Sequence, residues 1–181
     1  MASIAPASLN LGFLMIVHES NGYMGGYLVT NQWGRPLEFR LSTAVQPNRV
    51  QQVLYGGTLE PYVCADLIGK TLVDKTAVPA GLILTDFAPA LDLRLRLESP
   101  VVWLAPPDDP AAATMTEAGL CVRPAANGRG AILCHARFPA DVTVVREILE
   151  RVDGMVDPAE PFARIREAMG EARKMGVTKG A

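Results

Sequence analysis

Gly81-Leu82-Ile83-Leu84-Thr85-Asp86 is a short apolar run, opened by a glycine, that ends on a carboxylate. Such a run reads as a buried strand, and an acid where a buried strand ends stands where many α/β proteins keep their chemistry. Pro89 follows Asp86 by three residues, which is also how a helix N-cap and a first helical turn look. Asp86 therefore has two readings, a capping residue and a site residue.

Upstream, Leu11 to Val17 is almost wholly apolar and reads as a central strand buried on both faces. It runs into a turn at His18-Glu19-Ser20-Asn21-Gly22. Gly25-Gly26 opens a second strand through Tyr27-Leu28-Val29-Thr30, and Asn31 to Arg35 makes another turn. Leu37-Glu38-Phe39-Arg40-Leu41 alternates apolar and charged residues with period two, as a half-exposed edge strand does. Together these form an antiparallel three-strand meander.

Pro47-Asn48 then starts a helical stretch in which Val50, Val53 and Leu54 share a face. Gly56-Gly57 costs a helix roughly 2 kcal/mol relative to alanine, so a break is expected there, with a second piece from Thr58 carrying Val63, Leu67 and Ile68. Beyond Asp86, leucines at 91, 93, 95 and 97 alternate with Asp92, Arg94, Arg96 and Glu98, which is a strand pattern by period. The helix formers present, and the apolar strand Val101-Val102-Trp103-Leu104 that follows, favour a helical crossover between parallel strands instead.

Pro106 to Ala113 reads as a linker and places a boundary between an α/β domain, residues 1–106, and a hairpin with two helices, residues 107–181, packed on it. Two short strands flank Asn127-Gly128, the signal of a type I′ hairpin. Helices follow from Asp141 and Asp157, and a basic, frayed tail runs from Arg173. The expected fold class is α/β: a mixed sheet with the meander first, then parallel strands and helices, then the hairpin and two helices.

In order of elements, residues 11–105 resemble a ribonuclease H-like module. The resemblance rests on Gly25-Gly26-Tyr27, Gly34-Arg35, Ser42-Thr43, Asn48-Arg49-Val50-Gln51 and Leu84-Thr85-Asp86. It implies two divalent cations, magnesium or manganese, held by acids in the first strand, the first helix and the end of the fourth strand. Asp86 matches the fourth-strand acid. The first-strand position falls at His18, with Glu19 beside it, and the helix position falls at Gln51. A neutral glutamine is a poor magnesium ligand and histidine a softer one, so no metal is expected; if one is present, Asp86 and Glu19 hold it.

His18 and His135 are the only histidines, and no phosphate loop, dinucleotide fingerprint or Cys-x-x-Cys spacing occurs. Counting outward from Asn127-Gly128 sets Cys121 directly opposite Cys134, a possible redox pair, unless Pro124 slips the register. With 17 Lys and Arg against 19 Asp and Glu and a net charge of -2, no global basic field draws in nucleic acid or membrane. No apolar stretch approaches the ~20 residues of a membrane span, and three cysteines suggest no secreted framework, so a cytoplasmic address is expected.

A scaffold stripped of most of its metal acids reads first as a non-catalytic module for protein interaction or assembly, with another protein or a second copy of itself, without cofactor and with nucleic acid an improbable partner. The enzyme alternative is a divalent-metal nucleic-acid phosphodiesterase using Asp86, Glu19 and His18. A small-ligand sensory or adaptor domain is the third reading.

Overall fold

The apolar run at Leu11 forms β1 (Leu11–Glu19), whose first six residues are all buried, as a strand covered on both faces must be. It lies within a seven-stranded sheet of order β3-β2-β1-β4-β5-β7-β6 in a computed structural model that describes residues 8–176. The meander is β1, β2 (Gly22–Thr30) and the exposed edge strand β3 (Pro36–Leu41). On its other side β1 pairs in parallel with β4 (Leu82–Thr85), from Leu11↔Leu82 to Leu14↔Thr85, and β4 pairs in parallel with β5 (Val101–Leu104). The antiparallel strands β7 (Ile132–Cys134) and β6 (Cys121–Arg123) continue the sheet beyond β5. The result is the mixed α/β architecture expected from the pattern.

Gly25-Gly26 lies within β2, which begins at Gly22, three residues before the expected opening. A Cβ at Gly25 would collide with Ile68, and one at Gly26 would press on Ile165, so the two glycines let a helical layer settle on each face of the strand. Gly26→Ala is expected to cost about 1–3 kcal/mol by overpacking. Urea unfolding measures it, and an unchanged midpoint would show that α6 rides over the added methyl.

Two helical layers cover the sheet. On one face lie α1 (Arg49–Tyr55), α2 (Leu59–Pro61), a π-helical stretch Tyr62–Gly69, α3 (Lys70–Lys75) and α4 (Pro110–Glu117). Their core is built on Val63, Cys64, Ala65, Ile68 and Leu72. The other face carries α5 (Asp141–Val152) and α6 (Glu160–Lys174), which bury Val145, Val152, Phe162, Ile165 and Met169. The expected break falls at Gly56, whose φ of +52° ends α1. The shared face of Val50, Val53 and Leu54 stays in solvent, and burial begins only with the helix after the break. Among the described residues no helix is long and apolar enough to cross a membrane.

Ala88–Arg96 is a 3-10 helix, which settles the ambiguous leucine stretch in favour of the crossover. Leu91 and Leu93 are buried, and Leu97 returns to extended backbone. Arg94 of this helix is clamped to Asp141 at the start of α5, which ties the crossover to the opposite layer. Asp86 does not cap it. Phe87 precedes the helix with no side-chain cap, and its N–H donates to Thr85 Oγ1 at 3.3 Å. The carboxylate is left for another use.

The hairpin turns where Asn127-Gly128 predicts, with φ of +53° and +75° and Ala126 bridged to Arg129. Counting outward holds as far as Arg123↔Ile132. A register shift between Cys121 and Arg123 then sets Cys121 opposite Leu133 rather than Cys134. One extra residue on β6 turns the two cysteines apart: Cys121 packs with the core of the first face and Cys134 lies within the core of the second. The directly opposed pair expected from the sequence is corrected accordingly. The tail expected to fray from Arg173 is helical through Lys174, where α6 continues and Arg173 pairs with Glu19; residues 177–181 lie outside the described residues.

Candidate functional site

Parallel pairing brings the carboxyl ends of β4 and β5 side by side, with Thr85 opposite Trp103. The chain leaves them as Asp86 and as Leu104-Ala105-Pro106, the position where open α/β sheets collect ligands. β7 approaches from the other direction, its neighbour Ala131 accepting a hydrogen bond from the Ala105 N–H at 2.9 Å. Gly130 makes this approach possible, because any Cβ there would strike the Ala105 carbonyl. The first turn of α6 completes a cavity of about 360 Å³, lined by Asp86, Leu104, Arg123, Arg129, Asp157 and Phe162 among others.

Asp86 is the unusual group in this cavity. Its Oδ1 is shut off from solvent and has no hydrogen-bond partner among the described residues. Burial pushes the carboxyl up to about 6; the Arg166 guanidinium and the backbone N–H groups of Asp86 and Ile16 pull it down only in part. Arg129 pairs with Asp157 at 3.5 Å, a loose contact between exposed side chains. Arg123 is half-buried, and among the described residues neither it nor Arg166 belongs to an ion pair.

The other candidate residues lie elsewhere. The register of β1 on β4 puts Asp86 level with Met15, so Glu19 is four residues further, about 13 Å along the strand at 3.3 Å per residue. Its carboxylate accepts a hydrogen bond from Arg173 at 2.9 Å. His18 stacks on Tyr23 with ring centroids 3.9 Å apart, and Tyr23 donates to Glu60 at 3.0 Å. Gln51 closes a capping box with Asn48 at the start of α1. Among the described residues no three His, Cys, Asp or Glu side chains come together around a possible ion. A hard cation that needs several oxygen ligands therefore does not fit the donor set around Asp86.

The cysteines are unbridged, and burial pushes both Cys64 and Cys134 up to about 12, which keeps them as protonated thiols. His135 Nδ1 accepts from the Arg137 N–H at 3.1 Å, which leaves Nε2 to face Asp92, also at 3.1 Å. Its hydrogen bonds are thus used within the fold. Sequence reasoning missed Arg123, Arg166 and Asp157. Arg166 follows Phe162 by four residues along α6, a spacing that places it above the anchored ring; nothing in sequence says which strand lies beneath.

No protein-family model matches the chain and no curated protein matches it. Among solved structures it is similar to an endonuclease V variant of Ciona intestinalis in complex with a 23mer DNA containing an inosine followed by a ribo-adenosine. Identity there is 10%, 77% of each chain is covered and the TM-score is 0.43. A second endonuclease V complex from that organism, with a 24mer DNA, gives 10% and 0.42 over the same shares. Argonaute of Marinitoga piezophila, in complex with a 5′ OH guide RNA, gives 12% and 0.37, with 81% of this chain on 26% of that one. At these scores the likeness lies in the arrangement of elements and carries no site residue across. These neighbours are complexes with DNA or guide RNA, which runs against the expectation of a non-catalytic protein-interaction module with nucleic acid an improbable partner. That expectation leaned on net charge, which averages over the surface, whereas two arginines line the Asp86 cavity.

Proposed function

We propose that this chain is a ribonuclease H-like module that acts on nucleic acid at the Asp86 cavity, with Asp86 as its acid–base group. One observation carries the reading: a buried carboxyl with an unpartnered oxygen, pushed up to about 6, opening into a cavity at the carboxyl ends of two parallel strands. A carboxyl in that range exchanges its proton near neutral pH. Protonated, it donates to a phosphate oxygen or a leaving oxygen; ionised, it accepts a proton from water. The magnesium or manganese that the resemblance implies would need further carboxylates beside Asp86, and Glu19 and Gln51 are committed elsewhere.

The test is fluorescence anisotropy with single-stranded and duplex DNA and RNA oligonucleotides at low salt, followed by denaturing gels at pH 5 to 8. Salt-sensitive binding is expected, as phosphate contacts by arginine require. Asp86→Asn is expected to keep that binding and to lose cleavage by about 100-fold or more, the usual worth of a general acid or base. Failure of every oligonucleotide to bind at low salt would remove the reading.

A further inference from the structure

Two guanidinium groups line the Asp86 cavity, Arg123 from the end of β6 and Arg129 from the hairpin turn. The same lining sets two carboxyls against them, Asp86 and Asp157. Arg123 is half-buried with no ion-pair partner among the described residues. Arg129 is held only by the loose 3.5 Å contact with Asp157, a solvent-exposed pair of the kind that exchanges partners at little cost.

The positions where the resemblance calls for further acids show the reverse. His18 is stacked on Tyr23, Gln51 caps α1, and Glu19 is neutralised by Arg173. Beside Asp86 the cavity lining carries one further acid, Asp157, and two guanidiniums. A guanidinium presents a planar fork of donors matched to two phosphate oxygens, and it carries fixed positive charge without needing ligands of its own.

We propose that Arg123 and Arg129 supply the positive charge of the Asp86 cavity, so that it binds a phosphate group directly and without metal. This rests on the nucleic-acid reading above and names the part of the substrate the cavity takes. Leu104 and Phe162 add an apolar wall to the cavity beside the half-buried Arg123.

The experiment titrates inorganic phosphate against chloride at constant ionic strength, in chelator-treated buffer, and follows thermal unfolding of wild type, Arg123→Gln, Arg129→Gln and Asp86→Asn. Arg129 is exposed, so its substitution leaves the core intact even if Arg123→Gln does not fold. A saturable rise with phosphate is expected in wild type, with apparent affinity weakened about tenfold in either arginine variant, the loss of one charge-assisted contact. Manganese alone is expected to give no saturable rise. The proposal is overturned if phosphate does no more than chloride, or if both arginine variants respond as wild type does. It is equally overturned if manganese gives a saturable rise that Asp86→Asn abolishes. Oligonucleotide binding that strictly requires manganese sinks the metal-free site while leaving the nucleic-acid reading standing, whereas absence of oligonucleotide binding sinks that reading itself.

Discussion

Arg94→Met is expected to lower stability by about 3–5 kcal/mol, because it leaves the buried Asp141 carboxylate without its counter-charge. Arg94 donates to both oxygens of Asp141, at 2.6 and 3.3 Å, and to the Leu97 carbonyl at 2.7 Å. Its guanidinium also lies 3.8 Å over the Phe138 ring, and the two charged side chains are only 12% and 10% exposed. An ion pair this enclosed was costly to desolvate, so its net worth is small while the cost of breaking it is large. Urea unfolding with a constant m-value measures the loss, which corresponds to a fall in Tm on the order of 10 °C for a chain of this size. Arg94→Met combined with Asp141→Leu is expected to recover most of it, since neither charge then remains. A single-variant loss below about 1 kcal/mol would show that solvent screens the pair as it does exposed ones.

Asp86→Asn is expected to act in the opposite direction and to stabilise the chain at pH 7 by up to about 3 kcal/mol. The folded carboxyl titrates at about 6 against 3.8 for the unfolded chain, and each unit is worth about 1.4 kcal/mol. Between these values the folded state holds a proton that the unfolded state has released, so stability falls as pH rises through the window from about 4 to 6. Above 6 both states are ionised and the penalty stays constant. The amide cannot ionise and should lack this slope, so the two proteins match near pH 4 and diverge towards pH 7. Equal stability of wild type and variant at pH 7 would mean that the carboxylate is adequately solvated and is not held at a cost. A gain in stability together with lost cleavage is the trade expected of a group retained for chemistry.

How much of this was legible in advance follows from the range of the forces involved. The meander, β4, β5 and the type I′ turn each rest on residues near one another in sequence: apolar runs, period-two alternation and the Asn127-Gly128 dipeptide. All are found, although β1 runs on through His18 and Glu19 and β2 starts at Gly22, three residues before the expected opening. The leucine stretch from 91 to 97 defeated periodicity because a 3-10 helix between two parallel strands buries only Leu91 and Leu93 deeply. The cysteine register failed for a similar reason. A single bulged residue, selected by how β6 meets β7 and α5, outweighed the count from the turn.

The site was half-visible. That Asp86 ends a buried strand is a local fact, and the chain declares it at Leu82 to Asp86. That it is a buried carboxyl facing a cavity instead of a helix cap depends on what closes over it, and those groups come from residues 104, 123, 129, 157 and 162. Burial, a missing hydrogen-bond partner and converging cations are properties of a volume enclosed by distant segments. Sequence alone therefore determined the order and type of the strands, through local hydrophobic patterning and turn stereochemistry. Only the tertiary structure decided what Asp86 faces, because desolvation and Coulomb attraction act between side chains brought together by the sheet and by α6.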